Sequence, residues 1–244
     1  ERNMKVVAIN SSPNMGKGST AMILTPFLEG MKEAGAQIEL FYTKKLDIKP
    51  CQGEFDCWLK TPGKCFRQDD MQMLLPKLGS SDIWVFATPV HCDGVSGSMI
   101  NLWERMISVA KPFVELRNGH CRHPLHEGFK QGKVVLVSTC GHFELDNFDP
   151  MLLHIKAFTK NSNREFAGAL LRPHGARLSI MMKMGIQMDD IFKAAKEAGR
   201  QLIMNGKMSP ETLRIISREL VSLKMYLNGV NTSYQRVINN LKVK

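Results

Sequence analysis

The stretch Lys5–Thr20, with the sequence KVVAINSSPNMGKGST, decides the fold of this chain. Its first part, Val6–Ile9, is a short apolar run of the kind that forms a strand buried on both faces of a parallel sheet. The polar loop Asn10–Gly18 ends this run, and Ser19–Thr20 begin an amphipathic segment that predicts a helix. A strand, a Ser/Gly loop and a helix in this order present backbone N–H groups to an anion.

The loop between this strand and helix is interpreted as a phosphate site, because it offers several hydroxyl groups where a helix cap needs only one. An ordinary strand-to-helix turn with a capping serine is the alternative. The loop does not match the G-x-x-x-x-G-K-[ST] pattern that binds nucleoside triphosphates, and it does not match the G-x-G-x-x-G pattern that binds dinucleotides. The predicted phosphate-binding residues are Ser12, Asn14, Lys17, Gly18, Ser19 and Thr20.

Further along the chain, apolar strand-like runs alternate with amphipathic helix-like segments. This alternation predicts right-handed crossovers and an α/β fold with a five-stranded parallel sheet in the order 2-1-3-4-5 and helices on both faces. After the first strand, the predicted strands are Gln37–Tyr42, Asp82–Thr88, Lys133–Ser138 and Glu165–Leu171. Residues 111–132 are predicted to form a loop.

The last quarter of the chain is predicted to be helical. The expected helices are Asp189–Met204, Ser209–Leu223 and Tyr234–Leu241. We therefore divide the chain into an α/β domain, residues 1–180, and a helical extension, residues 181–244. The extension is expected to pack on the same domain or on a partner subunit.

Composition and charge exclude several classes of protein. The 244 residues contain no apolar run of the ~20 residues needed to cross a bilayer. The six cysteines do not resemble a disulfide framework, and no signal peptide is recognised, so a cytoplasmic protein is expected. The net charge is +10, but no nucleic-acid recognition motif accompanies it. An anionic cofactor, NADPH, an acidic partner or a solvated basic face are simpler interpretations.

Two more loops follow strands three and four, and parallel topology brings them to the edge of the sheet where the first loop lies. The first runs from Thr88 to Gly97 and contributes Pro89, Val90, His91, Cys92, Asp93 and Gly94. The second contributes Ser138, Thr139, Cys140, Gly141 and His142. Small residues in this second loop allow its backbone to approach a flat ring, although a plain helix-entry turn has a similar composition.

These loops resemble those of the NADPH-dependent FMN reductases and iron–sulfur flavoproteins. Ser12-Pro13-Asn14 and Gly18-Ser19-Thr20 match the S-P-x-x-x-G-x-T loop that holds the FMN phosphate, and Thr88–Gly97 resembles the loop beside the flavin pyrimidine. The usual tyrosine of that loop is His91 here. The resemblance covers about Met4–Arg172 and implies a flavodoxin-like fold, non-covalent FMN, NAD(P)H as co-substrate and a homodimer or homotetramer with the flavin between subunits.

A cysteine segment also resembles the iron–sulfur flavoproteins. Cys51, Cys57 and Cys65 match three positions of their C-x-x-C-x-x-C…C motif, but Glu54 occupies the second position. A carboxylate is a harder ligand than a thiolate and would weaken a [4Fe–4S] cluster. A loop that has lost the cluster and keeps its three thiols for packing is therefore preferred to a retained cluster, and zinc bound by the three cysteines and Glu54 is a further alternative.

The resemblance implies an FMN-dependent oxidoreductase that takes hydride from NAD(P)H and reduces a small acceptor such as a flavin, a quinone or an aromatic compound. An electron-transfer protein that relays electrons between protein partners is the main alternative, and a flavin-binding sensor is a third. No catalytic acid or base is expected, because the cofactor carries the chemistry. Outside the loops, His154 and His174 are interpreted as surface or interface residues. The group His120–His126 is interpreted as a covering or contact loop.

Overall fold

A five-stranded parallel sheet forms the centre of the computed structural model, which describes residues 3–175 and 178–242, and for residue 242 the backbone only. The strands are β1 Lys5–Asn10, β2 Gln37–Tyr42, β3 Ile83–Pro89, β4 Glu115–Arg117, β5 His120–Arg122, β6 Lys133–Thr139 and β7 Glu165–Arg172. The strand order in the sheet is β2-β1-β3-β6-β7, so the predicted flavodoxin-like order is confirmed. β4 and β5 form a separate antiparallel hairpin.

Helices cover both faces of this sheet and extend to the end of the described chain. They are α1 Ser19–Glu33, α2 Asp56–Leu59, α3 Met71–Ser80, α4 Gly97–Arg105, α5 Asp149–Asn161, α6 Leu178–Lys183, α7 Asp189–Asn205, α8 Pro210–Ser217 and α9 Leu223–Lys242. None of the helices in the described chain is both long and apolar enough to span a bilayer.

Alternate residues of the central strands point into two separate apolar cores, as expected for a sheet buried on both faces. Val6 and Ala8 of β1 pack with α1 and α7 in one core. Val7 and Ile9 pack with α3, α4 and α5 in the other. This alternation explains why the short run Val6–Ile9 is apolar throughout.

The structure corrects three predicted boundaries. Residues 111–132 contain the β4–β5 hairpin, whose turn Asn118-Gly119 has φ angles of 53° and 77°. An Asn-Gly pair is a standard signal for such a turn. Helix α8 ends at Ser217 instead of Leu223, since the next residue, Arg218, has extended backbone. The last helix begins at Leu223, eleven residues before the predicted start.

Two glycines permit very close packing between α1 and α7. A Cβ atom added to Gly199 of α7 would lie 2.0 Å from the carbonyl oxygen of Phe27, and one added to Gly30 of α1 would lie 1.8 Å from that of Lys196. Both distances are far inside van der Waals contact, so the helices touch through their backbones. Helix α7 thus packs directly on the α/β core, although the division at residue 180 stays a prediction.

Replacing Gly199 with alanine tests this contact. We expect Gly199→Ala to lower the free energy of unfolding by about 1–3 kcal/mol or more, because overpacking a buried contact usually costs that much. The matched control is Gly229→Ala on α9, where an added Cβ meets nothing within 4 Å. That control should be neutral or stabilising by up to about 1 kcal/mol, because alanine favours a helix more than glycine does. Equal effects of the two substitutions in urea unfolding would contradict the packing described here.

Candidate functional site

The three loops predicted to form the site converge at the carboxyl edge of the sheet. The backbone N–H of Ser11 donates to the carbonyl of Ala87 at 2.8 Å, and the Ser96 hydroxyl lies 2.7 Å from that of Ser11. The Ser138 hydroxyl donates to the carbonyl of Thr88 at 2.8 Å. These hydrogen bonds are buried, so they fix the loops relative to one another.

The first loop, residues 10–18, is shaped by hydrogen bonds to its own side chains. Asn10 is fully buried, and its Oδ1 accepts the N–H of Ser12 at 2.9 Å. The Ser12 hydroxyl accepts the N–H of Asn14 at 3.3 Å. A Cβ atom on Gly18 would lie 2.9 Å from the Ser12 hydroxyl and 3.0 Å from the Cβ of Asn14, so a larger residue here would displace the side chains that shape the loop. Sequence reasoning missed the shaping role of Asn10.

The start of α1 provides donors for an anion. Within the described residues, the backbone N–H groups of Gly16, Ser19 and Thr20 have no acceptor. Those of Ser19 and Thr20 are the first two of a fifteen-residue helix, where the helix dipole also favours negative charge. The Thr20 hydroxyl lies 2.9 Å from that of Thr139 and ties the two loops together. The donor set fits a phosphate group.

Residues at the end of β2 also reach this loop, and sequence reasoning did not include them. The Lys44 ammonium donates to the carbonyl of Pro13 at 3.1 Å. The Tyr42 hydroxyl lies against Gly16, at 3.3 Å from where a Cβ atom would be. Together with the exposed Lys17, Lys44 adds positive charge beside the free N–H groups. The signal was available, since β2 pairs with β1 and the carboxyl ends of both strands share one edge.

The second loop presents a tight turn at residues 91–94. His91 and Gly94 exchange backbone hydrogen bonds of 2.9 and 3.0 Å, and Cys92 and Asp93 between them have φ angles of 47° and 60°. Two successive left-handed residues other than glycine are strained, and such strain concentrates at functional sites. The side chains of His91, Cys92 and Asp93 are exposed at the rim. Val90 is held by a 2.9 Å hydrogen bond from its N–H to the carbonyl of Thr139.

The third loop turns some of its side chains inward and others outward. Cys140 is buried, and burial raises the pKa of its thiol above the ordinary value, so the thiol stays protonated at neutral pH. Gly141 and His142 are exposed at the rim. The hydroxyls of Ser138 and Thr139 are already bonded within the protein. Contact between this loop and a flavin ring therefore stays a prediction. Gly141 and His142 are the exposed residues that could make it.

His174, which was predicted to be a surface or interface residue, is instead buried within the chain and is 1% exposed. Its ring stacks on Phe143 at 4.5 Å between centroids, and Tyr226 of α9 packs against both rings. The Tyr226 hydroxyl donates to the carbonyl of Gly141. Burial and the nearby charge of Arg172 lower the pKa of His174 to about 4. Sequence reasoning missed this cluster because its members are distant in the chain; His154, in contrast, is exposed as predicted.

The cysteine segment gathers around a separate cavity. Cys51, Glu54, Cys57 and Cys65 line a cavity of about 410 Å³ against the end of α4. Burial, followed by the nearby charges of Cys65, Glu54 and Cys51, raises the pKa of the Cys57 thiol. Across the described residues, however, no three His, Cys, Asp or Glu side chains are arranged to hold a metal ion. These side chains do not fit a metal centre in this structure, and the choice between a lost cluster and metal ligation by Cys51, Cys57 and Cys65 stays a prediction.

A buried ion pair fixes the base of this segment. The guanidinium of Arg105 and the carboxylate of Asp69 are 1% and 0% exposed, and Nη2 of Arg105 donates to Oδ1 at 3.1 Å. The same carboxylate accepts the N–H groups of Lys49 and Met71. Burial alone would lower the pKa of Arg105, but the hydrogen bond that its guanidinium donates to Asp69 and the charges of Cys65 and Asp69 raise it. This pair thus connects the cysteine segment to α3 and α4.

Comparison with known proteins shows that the chain matches one protein family and is similar in sequence to two iron–sulfur flavoproteins. Residues 4–152 match the family described as NADPH-dependent FMN reductase. An iron–sulfur flavoprotein of Archaeoglobus fulgidus is 33% identical over 129 residues, which are 53% of this chain and 62% of the relative. One of Methanocaldococcus jannaschii is 31% identical over 115 residues, 47% of this chain and 58% of the relative. The matches thus span about three fifths of the length of these relatives.

Solved structures share the fold at low identity. An NAD(P)H:quinone oxidoreductase from Methanothermobacter marburgensis superposes with a TM-score of 0.59 and 15% identity, covering 82% of this chain and 98% of that one. An FMN-dependent NADH-azoreductase from Bacillus anthracis, solved in complex with FMN, gives a TM-score of 0.55 and 16% identity, covering 82% and 99%.

The buried His174 predicts a pH dependence of stability. Because its pKa is lowered to about 4 from 6.5, the unfolded chain binds more protons than the folded one between these values. We expect stability to fall as the pH falls from 6.5 to 4, with His174 contributing up to about 3 kcal/mol of the loss. His174→Asn, which tolerates the φ angle of 51° at this position, should make the dependence shallower in urea unfolding from pH 4 to 7.

The matched control is His154→Asn, since His154 is exposed. It should leave the pH dependence of the wild type unchanged. A His174→Asn protein with the same pH dependence as the wild type would show that His174 is charged or exposed in solution.

Proposed function

Because the chain belongs to the NADPH-dependent FMN reductase family, we propose that it is an FMN-dependent oxidoreductase. It takes hydride from NAD(P)H and passes electrons to a small-molecule acceptor of the flavin, quinone or aromatic class. The names of the similar proteins, which include a quinone oxidoreductase and an azoreductase, support this class of acceptor.

One observation carries this proposal: three loops meet at one edge of the sheet, beside a helix start with unsatisfied N–H groups. Ser19 and Thr20 would donate their N–H groups to the FMN phosphate, and the Ser19 hydroxyl adds a further donor. Lys17 and Lys44 lie beside the same loop and would attract the dianionic phosphate. The phosphate-binding set proposed from sequence is Ser12, Asn14, Lys17, Gly18, Ser19 and Thr20.

The remaining loops would border the flavin ring. When bound, FMN supplies hydride acceptance and electron transfer, so the chain needs to position it and shape its surroundings. The turn His91–Gly94 offers its backbone and exposed side chains along one edge. Gly141 and His142 offer a second approach, and the hydrogen bond from Tyr226 holds that loop in place.

The wider setting of this activity is also proposed. We infer a cytoplasmic homodimer or homotetramer composed of an α/β domain, residues 1–180, and a helical extension, residues 181–244. Exposed apolar side chains on α9 support association through the extension. They include Leu223, Met225, Leu227, Val237, Ile238 and Leu241.

Anaerobic stopped-flow mixing of the FMN-loaded protein with NADPH, and separately with NADH, tests the activity. We expect at least one nicotinamide to bleach the flavin absorbance in a single two-electron step within seconds. Bleaching by neither nicotinamide would contradict the oxidoreductase and favour a carrier that exchanges electrons with proteins.

The variant Ser19→Ala/Thr20→Ala tests the phosphate loop in the same preparation. The variant removes both hydroxyls and keeps the backbone N–H groups. Because the Thr20 hydroxyl is bonded to that of Thr139, we expect FMN to bind more weakly by about 1.5–3 kcal/mol, the contribution of the Ser19 hydroxyl. Thr25→Ala is the matched control, since Thr25 lies on the exposed face of the same helix. Unchanged FMN affinity of the double variant would show that the Ser19 hydroxyl does not contact the phosphate.

A further inference from the structure

A second cavity, of about 750 Å³, lies between α3, the loop 61–68 and the carboxyl end of α4. Its volume is typical of small-molecule sites, which occupy roughly 300–1,000 Å³. The family relationship and the flavin loops do not account for it. The residues of its wall that matter here are Cys65, Phe66, Arg67, Leu75, Arg105 and Phe129.

This cavity is distinct from the flavin edge. Helix α4 begins at Gly97, directly after the second flavin loop, and its last residue, Arg105, lines the cavity. Eight helical steps separate these residues by about 12 Å. None of the residues that line the cavity belongs to the three flavin loops, so the cavity and the flavin edge are separate places.

The chemistry of the wall combines aromatic surface with positive charge. Phe66 and Phe129 provide ring faces, and the guanidinium of Arg67 lies 5.3 Å from the Phe66 ring. Three basic residues, Lys64, Arg67 and Arg105, line the cavity with one acidic residue, Glu127. Asp69 neutralises Arg105, so Lys64 and Arg67 outnumber the acidic charge of the wall.

Two buried donors in this wall lack an acceptor. The Nε atoms of Arg67 and Arg105 are buried and have no hydrogen-bond partner among the described residues. Arg105 as a whole is 2% exposed. A buried donor without an acceptor is costly, and guanidinium groups pair best with planar carboxylate-like groups. An anionic ligand that reaches Arg67 would relieve part of this cost.

We propose that this cavity is a binding site for a planar aromatic anion, with Arg67 holding the anionic group and Phe66 and Phe129 contacting the ring. The site shares Cys65 and Arg105 with the cysteine cavity. A bound ligand would thus cover one side of Cys65. This site is independent of hydride transfer, so its test is a binding measurement.

The probes are 2-naphthoate and its neutral counterpart 2-naphthalenemethanol, titrated calorimetrically into the FMN-loaded protein. We expect one naphthoate per chain, bound at least about tenfold more tightly than the alcohol, as a hydrogen bond to a charged group implies. Arg67→Gln should abolish most of this preference. Arg122→Gln, which removes a charge from the β5 strand outside the cavity, should preserve it.

A second pair of variants separates this cavity from the flavin edge. Leu75→Trp fills the cavity from inside, and Gln72→Trp does so from an exposed position, where the fold tolerates a large side chain. Either should weaken both probes at least about tenfold while flavin reduction by NAD(P)H is unchanged. Naphthoate should also slow the alkylation of Cys65 by iodoacetamide, and mass spectrometry measures the rate of this modification.

Three results would overturn the proposal. They are equal affinity for the acid and the alcohol, an unchanged preference in Arg67→Gln, and undiminished naphthoate binding in a folded Gln72→Trp protein. The last result would assign naphthoate to the flavin edge. Failure of flavin reduction with normal naphthoate binding would count against the oxidoreductase alone.

Discussion

The hydrogen bonds between Ser11, Thr88, Ser96 and Ser138 are the constraint on which the rest of the site depends. Parallel strands bring three loops to one edge, but a polar loop without partners would not keep one position there. The buried hydroxyls of Ser96 and Ser138 bond to Ser11 and to the carbonyl of Thr88, so each loop is tied to its neighbour. In the proposed site, backbone groups of these loops would contact the flavin. The buried hydrogen bonds hold those groups in fixed positions.

A second set of contacts couples the helical extension to the same edge. Arg172 at the end of β7 is fully buried, and its guanidinium donates to the carbonyls of Ile216 and Arg218. Burial lowers its pKa to about 10, which still leaves it charged at neutral pH. Next to it, His174 and Tyr226 pack on Phe143 of the third loop. The extension therefore stabilises a loop of the site, and its removal would affect more than the surface.

Much of the fold was predictable because it follows from local patterns. The apolar runs that fill a two-sided sheet are visible in residues such as Val6–Ile9, and the strand order followed from alternation with helices. The resemblance to FMN reductases, confirmed by the family match, came from short loop motifs at Ser12–Thr20 and Thr88–Gly97. Both kinds of signal depend on residues that are close in sequence.

Three features that were not predicted depend on residues distant in sequence. His174 looks like a surface residue until Tyr226, fifty-two positions later, packs on it. The end of α8 at Ser217 is set by Arg218, whose side chain pairs with Asp190 on α7. The cavity beside α3 is formed by segments as far apart as Phe66 and Phe129. No periodicity or motif marks contacts of this kind.

We propose that the carboxyl edge of the sheet binds a flavin through its terminal phosphate. The most direct measurement compares the affinities of the wild-type protein for FMN and for riboflavin, which differ only in that phosphate. We expect one FMN per chain, and we expect riboflavin to bind more weakly by at least about 3 kcal/mol, the sum of two or more charge-assisted hydrogen bonds. Equal affinities would contradict the proposal, because the unsatisfied N–H groups at the start of α1 would then have no part in binding.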